Sequence, residues 1–164
     1  MSSTSGLHPS AQRVADVLIA SGVAGPFREF AASTKTAADA AAALDCDVGA
    51  IASCLVFSVD DEAVVVIKSG AFRVDLGALG AFAGGSLARR ATADEVRDAT
   101  GQPIGGVSPV GWPSALRVFL DKTLANYEVV WAACGTPNCV FATTYDELRR
   151  LTGATPIPLV PPEP

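Results

Sequence analysis

Residues 54–68 read CLVFSVDDEAVVVIK, two apolar runs separated by acidic residues. Both runs are rich in β-branched and aromatic side chains, which favour strands. The junction Asp60, Asp61 and Glu62 is short enough for a tight turn. The stretch therefore predicts a β-hairpin whose second strand is Ala63–Lys68.

Helices are indicated on both sides of this hairpin by residues that favour helix ends. Thr and Pro favour the first turn of a helix, and glycine often follows the last one. The last two candidates also carry Glu three residues after the capping threonine, which is the capping-box pattern. These signals predict helices at residues 9–22, 36–44, 92–101 and 144–153.

Short apolar or β-branched runs predict the remaining strands. They cover residues 27–31, 116–120, 128–133 and 139–142, with 156–160 as a candidate edge strand. Strands and helices alternate irregularly, without the repeated strand–helix period of a doubly wound fold. We therefore expect an α+β fold with a mixed β-sheet that is strongly curved or barrel-like and flanked by helices.

Length and composition favour one domain. The chain has 164 residues, 49% of them hydrophobic, which is enough for one well-buried core and too short for two ordinary domains. We expect this domain at residues 8–160, with a disordered lead at 1–7 and a tail at 161–164. The sequence predicts neither a signal peptide nor a membrane span, so a cytoplasmic protein is expected.

Charge and titratable residues limit the chemistry. The net charge of −5 argues against binding DNA, or RNA in general, through an overall positive field. The single histidine, His8, lies in the polar N-terminal segment, so a histidine-based triad is not expected. Four cysteines without a CxxC pair or a neighbouring histidine predict neither a zinc site nor a disulfide framework. We expect no metal and no cofactor.

A segment rich in glycine and proline lies between a predicted helix and a predicted strand. Residues 100–113 read TGQPIGGVSPVGWP. The adjacent Gly105 and Gly106 permit positive φ and allow backbone N–H groups to approach a ligand closely. The alternative is an ordinary rigid turn, because glycine-rich loops without a full phosphate-binding signature are weak signals.

The order of several segments carries a family resemblance. They read AADAAAALDCDVGAIASCLVF, FRVDLGAL, ATADEVRDATGQPIGGVSPVGWP, VFLDKTL, VVWAACGTPNCVF and TYDELRRLTGA. Together they resemble the YbaK/EbsC family of aminoacyl-tRNA deacylases, which is related to the editing domain of bacterial prolyl-tRNA synthetases. The resemblance covers about residues 8–160. It implies a barrel-like mixed sheet with flanking helices, and hydrolysis of the ester that joins a wrong amino acid to a tRNA.

The resemblance also implies a catalytic loop. Members of the family place a Gly-x-x-x-Pro loop beside the substrate, and here that motif is Gly105, Gly106, Val107, Ser108 and Pro109. Its backbone N–H groups would hold the aminoacyl carbonyl and stabilise the oxyanion as water adds. The 2′-hydroxyl of the terminal ribose would position that water, so no histidine base is required.

One position departs from the family pattern. A lysine followed by Ser or Thr is usual where this chain has Ser53 and Cys54. The missing ammonium would ordinarily bind a phosphate or ribose of the tRNA 3′ end. Ser53 either donates a hydrogen bond to a ribose hydroxyl or is simply a polar residue at a helix-to-strand junction. The apolar neighbours of Cys54 favour packing over a nucleophilic role.

Further substrate-binding candidates each have a structural alternative. Phe30 lines the amino-acid pocket or belongs to the core, and Thr36 borders the pocket or only caps a helix. Gly135 and Thr136 contact the substrate amino group or form a plain hairpin turn. Lys68 meets a phosphate or is a solvated surface charge. The same alternatives apply to the cations Lys35, Arg73, Arg89 and Arg90.

Two functional classes follow from these observations. The first is a trans-editing esterase that acts at the acceptor end of a mischarged tRNA, most simply a proline tRNA carrying alanine, serine, threonine or cysteine. Prolyl-tRNA synthetase is the candidate protein partner. The second is a binding module on the same scaffold, associated with tRNA or the synthetase without hydrolysis. The GGVSP loop favours the first class and Ser53 favours the second.

Overall fold

The computed structural model describes residues 6–31, 36–85 and 87–159. Residues 1–5 and 161–164 of the predicted lead and tail, and the candidate cation Lys35, lie outside these ranges. The helices are α1 (Pro9–Ala20), α2 (Ala37–Leu44), α3 (Leu76–Phe82), α4 (Ala93–Thr100) and α5 (Tyr145–Thr152). The strands are β1 (Phe27–Glu29), β2 (Ile51–Val59), β3 (Glu62–Ser69), β4 (Ala88–Arg90), β5 (Arg117–Asp121), β6 (Val130–Ala133), β7 (Cys139–Thr143) and β8 (Thr155–Ile157).

The described strands form one mixed sheet. Its order is β1-β7-β6-β2-β3-β5-β8, and β4 pairs with β2 off this path. Pairing is antiparallel for β1–β7, β6–β7, β2–β3 and β2–β4, and parallel for β2–β6, β3–β5 and β5–β8. The expected α+β class is confirmed, and this sheet is open, with β1 at one end and β8 at the other.

The predicted hairpin lies at the centre of the sheet. Strands β2 and β3 pair in register from Ala52 opposite Ser69 to Val59 opposite Glu62. Asp60 and Asp61 form the connection with φ values of 50° and 69°. A two-residue turn with both residues at positive φ matches the twist of antiparallel strands, and Asp tolerates this conformation better than most residues.

Apolar side chains cover both faces of this hairpin. Cys54, Val56 and Ile67 face the larger cluster, to which α1 contributes Leu18 and other residues at helical spacing. Phe57 and Val66 face a second cluster, which includes Leu79 of α3. Full burial of one large apolar side chain contributes roughly 1.5–3 kcal/mol. The hairpin is therefore a rigid base for the loops at its edge.

The glycine- and proline-rich loop starts from a firmly capped helix. Thr92 and Glu95 form both hydrogen bonds of the predicted capping box, and Glu95 also accepts two bonds from Arg89 at 2.7 and 2.8 Å. The helix ends at Gly101, whose φ is 73°. These contacts fix the direction in which the chain enters residues 102–116.

Two elements were not predicted. Helix α3 has the glycine-containing sequence LGALGAF, and β4 has only three residues. Strand β1 also ends earlier than expected, at Glu29 rather than residue 31. Among the described residues, no helix combines the length and apolar character needed to cross a membrane.

Candidate active site

A cavity of about 350 Å³, here called the pocket, lies at a break in the pairing of β2. On the edge opposite β3, β2 pairs with β6 at Ile51 and Ala52 and with β4 from Phe57 to Val59. Among the described strands, none pairs with residues 53–56 on that edge. The pocket occupies this gap and is lined there by Ala52, Ser53, Cys54 and Leu55.

The break leaves main-chain groups of β2 facing the pocket. The carbonyl of Ile51 accepts a hydrogen bond from the Gly70 N–H at 2.9 Å, on the β3 side. Backbone groups alternate between the two edges of an antiparallel strand, so those of Cys54 face away from β3. The carbonyl of Val56, which accepts from Ala91 N–H at 3.1 Å, has the same orientation.

The Gly-x-x-x-Pro loop forms the opposite wall. Gly105 and Val107 line the pocket. The Gly106 N–H donates to the carbonyl of Pro103 at 2.9 Å, and the Ser108 N–H donates to Gln102 Oε1 at 2.7 Å. Within the described ranges, no hydrogen bond involves the N–H of Gly105 or of Val107. These two amides are therefore the loop donors that remain for a ligand.

Gln102, which sequence reasoning missed, holds this loop in shape. It is buried, and besides accepting from Ser108 it donates Nε2–H to the carbonyl of Val110 at 2.8 Å. Ser108 Oγ donates to the same carbonyl at 2.7 Å, and Trp112 Nε1–H donates to the carbonyl of Ser108 at 3.0 Å. The only sequence signal was an amide side chain in a loop with few other polar groups.

The loop packs directly against the CGTPN turn that joins β6 to β7. A Cβ atom on Gly106 would lie 2.6 Å from the carbonyl carbon of Thr136 and 2.8 Å from the nitrogen of Pro137. Gly135, with φ of 86°, would place a Cβ atom 2.6 Å from Val14 Cγ2 of α1. The turn therefore packs against α1 on one side and against the loop on the other, and these contacts hold the loop amides in position.

Two cations belong to this part of the site: Lys68, on the strand beside Ser53, and Arg90 of β4. Lys68 is the direct partner of Ser53 in the β2–β3 ladder, and its Nζ donates to the carbonyls of Ser69 and Phe72 at 3.1 and 2.7 Å. Burial lowers the pKa of Lys68, Asp121 opposes that shift and Arg90 adds to it. Arg90 itself lines the pocket.

Cys54 lines the pocket but is not an activated thiol. Its side chain is buried, and burial raises its pKa to about 12. A thiol with this pKa is almost entirely protonated at neutral pH, whereas the nucleophilic form is the thiolate. The neutral, buried Cys54 therefore has a packing role and not a nucleophilic one.

The other candidate residues divide between two cavities. Thr36 lines the pocket and also caps α2, since its Oγ1 accepts from the Asp39 N–H at 3.1 Å. Phe30, Gly135 and Thr136 line a neighbouring cavity. Arg89 is paired with Glu95. In the described part of the chain, no cluster of three His, Cys, Asp or Glu side chains could hold a metal ion.

Comparison with known proteins agrees with this architecture. The aminoacyl-tRNA editing domain profile matches residues 31–151. A solved structure described as a "putative trans-editing enzyme for prolyl tRNA synthetase" is 44% identical, with a TM-score of 0.88 over 94% of this chain and 98% of that one. A chain from computational epitope backbone grafting onto scaffold proteins is 40% identical, with a TM-score of 0.87 over 93% and 98% of the two chains.

A curated relative supports the same assignment. The uncharacterized protein YwhH of Bacillus subtilis (strain 168) is 31% identical over 125 residues, which are 76% of this chain and 79% of that protein. The profile match covers well over half of the chain and includes β2, the Gly-x-x-x-Pro loop and the CGTPN turn. This chain therefore belongs to the aminoacyl-tRNA editing domain family.

Proposed function

We propose that the protein hydrolyses the ester between a small wrong amino acid and a tRNA, most simply a proline tRNA, acting in trans to the synthetase. The observation that carries the proposal is the pair of available amides, Gly105 and Val107, on the wall of the pocket. Donors held rigidly at the site of a developing negative charge are a strong source of catalysis in acyl transfer.

The reaction needs few side chains. Water adds to the ester carbonyl, the loop amides stabilise the oxyanion, and collapse of the intermediate breaks the bond between the carbonyl carbon and the ribose oxygen. The adjacent ribose hydroxyl orients the water, and the proton that the water loses passes to the leaving ribose oxygen. This route agrees with the absence of an activated thiol at Cys54.

The pocket walls favour a small amino acid. Its volume of about 350 Å³ is near the lower end of the range of roughly 300–1,000 Å³ for ligand pockets. Ala37, Ala40, Ile51, Trp131 and Val140 supply apolar lining, and the hydroxyl-bearing Thr36 and Ser53 are also present. Such walls suit alanine, serine, threonine or cysteine, which differ from each other by one or two atoms.

Ser53 favours a second candidate, a module that binds the tRNA end without hydrolysis. The ammonium of Lys68 is on the neighbouring strand and is already bound to two carbonyl groups. If hydrolysis requires a lysine at position 53, this chain would be inactive although its Gly-x-x-x-Pro loop is intact.

The test is deacylation of proline tRNA charged in turn with Ala, Ser, Thr, Cys and Pro. We expect the wild type to release one of the four wrong amino acids, and Gly105→Ala to do so at least tenfold more slowly, because alanine at φ 84° is strained and shifts the amide. Activity that appears only in Ser53→Lys would mean that this chain has lost hydrolysis, and would favour the binding module. If neither the wild type nor Ser53→Lys releases any of the five amino acids, the proposal is contradicted.

A further inference from the structure

A second cavity of about 880 Å³ adjoins the pocket and is here called the groove. It is defined by Arg13 of α1, Phe30 after β1, Arg97 of α4 and the turn residues Thr136 and Pro137. Pro137 lines both cavities, and the consecutive residues Pro103 and Ile104 line the groove and the pocket respectively. The groove is therefore the direct continuation of the pocket.

We propose that the groove binds the single-stranded nucleotides that precede the aminoacylated 3′ end of the RNA. The orientation, with the ester in the pocket and the preceding nucleotides in the groove, rests on the proposed function. The existence of an RNA-binding groove does not depend on hydrolysis and is tested separately below.

The charge of the groove differs from that of the whole chain. Its lining contains two arginines, Arg13 and Arg97, and one carboxylate, Glu29, in a protein with a net charge of −5. Both arginines are exposed, and no ion pair involves either of them in the described part of the chain. The carboxylate of Glu29 accepts a hydrogen bond from the His8 N–H at 3.0 Å. The groove is thus a local site for phosphate groups in an otherwise acidic protein.

An aromatic ring beside these charges makes the site more suitable for a nucleic acid than for a simple anion. Phe30 is half-buried: its side chain packs against the buried cluster that includes Ala40 and Val140, and it also forms part of the groove wall. Its N–H donates to the carbonyl of Asn138 at 2.7 Å. The guanidinium of Arg28 lies 5.9 Å from the ring centroid. Proteins that bind single strands combine a positive groove with aromatic side chains on which bases stack. Arg13, Arg97 and Phe30 provide this combination.

The position of the groove gives it a specific task. Contacts to phosphates, and stacking of one base on an aromatic ring, carry little information about the RNA sequence. The pocket, by contrast, holds the amino acid, which is the group that distinguishes one substrate from another. The groove would therefore increase affinity for any free 3′ end, and discrimination among amino acids would remain with the pocket.

Binding of uncharged proline tRNA tests the groove without requiring hydrolysis. The test variant is Arg13→Gln with Arg97→Gln, and the matched control is Lys122→Gln with Arg149→Gln. The control pair is also exposed and removes the same charge, but neither residue lines the groove or the pocket. We expect the groove variant to bind about tenfold more weakly or worse, and the control to bind within about twofold of the wild type.

Salt dependence provides a second readout. Loss of two phosphate contacts should reduce the slope of log affinity against log salt by about 1.4, at roughly 0.7 per contact for single strands. Phe30→Leu should weaken binding about tenfold and leave the slope unchanged, because stacking releases no counterions. Equal losses in the groove and control variants, no loss in either, or no binding of tRNA by the wild type would overturn the proposal.

The two proposals fail in different ways. If the wild type binds tRNA through the groove but releases no amino acid, the hydrolytic function is wrong and the groove is supported. If it deacylates tRNA and the groove variant has an unchanged KM, the groove is wrong and the hydrolytic function is supported. Hydrolysis of an aminoacyl ester of adenosine alone should be the same in the groove variant and the wild type.

Discussion

Replacement of Gly106 by alanine tests whether contact between the loop and the CGTPN turn sets the catalytic geometry. The new Cβ atom would lie 2.6 Å from the carbonyl carbon of Thr136, so the two segments must separate by about 0.8 Å to reach ordinary contact at 3.4 Å. Both partners are main chain, which cannot move away as a flexible side chain can. Overpacking of this kind costs about 1–3 kcal/mol in unfolding free energy.

The same displacement moves the amides of Gly105 and Val107 relative to β2. Since a misplacement of about 1 Å can reduce catalysis about 100-fold, we expect kcat of Gly106→Ala to fall by roughly 30- to 100-fold. The melting temperature should fall by about 2–12 °C, at roughly 2–4 °C per kcal/mol for a chain of this size.

The control is Gly153→Ala, the same change at the end of α5. Gly153 has φ of 68° and open space around its Cβ position, so alanine is strained there without a clash. We expect a stability loss of about 1–2 kcal/mol and an unchanged kcat. Thermal unfolding and single-turnover deacylation of both variants separate the two effects. If kcat of Gly106→Ala stays within about threefold of the control, packing of the loop on the turn does not set the catalytic geometry.

The remaining predictions concern Gln102 and Cys54. Gln102→Ala leaves the buried Ser108 N–H without its acceptor, so urea unfolding should show a loss of about 1–3 kcal/mol in unfolding free energy. Deacylation should show a lower kcat with little change in KM. An unchanged kcat would contradict the role of Gln102 in holding the loop in shape. Because burial raises the Cys54 pKa from 9.0 to about 12, its contribution to stability is complete below pH 9 and is lost as the pH rises toward 12. Between pH 8 and pH 10, the unfolding free energy measured in urea should therefore decrease by about 1.4 kcal/mol less for Cys54→Ala than for the wild type. The kcat of Cys54→Ala at pH 7.5 should stay within about threefold of the wild-type value. An equal decrease in the two proteins would refute the assigned pKa.

The parts of the fold that could be predicted are those with strong local signals. The central hairpin follows from two apolar runs around Asp60 and Asp61. Helix α4 follows from a complete capping box, α5 from a capping threonine, and both from a terminal glycine. Helix α3 and strand β4 carry weaker signals: Asp75 caps α3, but two glycines lower its helix propensity, and β4 has only three residues. They form because β2 and the second core cluster provide surfaces for them to pack on.

The candidate site could likewise be predicted only where a local sequence pattern marks it. The sequence identified the Gly-x-x-x-Pro loop but not which of its amides are available, since that depends on the bonds made by Gly106 and Ser108 within the folded loop. Gln102 was missed for the same reason. The placement of Phe30 against a buried cluster and in the groove wall, outside the pocket, depends on the path of β1 beside the CGTPN turn. These are tertiary contacts that no local pattern encodes.

The break in the pairing of β2 has a consequence for how this protein can change. The polar groups it exposes belong to the peptide backbone, and no substitution other than proline deletes a backbone donor. The walls around them are side chains such as Ala37 and Trp131. Mutation can therefore alter the size and polarity of the pocket one residue at a time while the hydrogen-bonding frame persists, so that new substrate preferences can arise without rebuilding the chemistry.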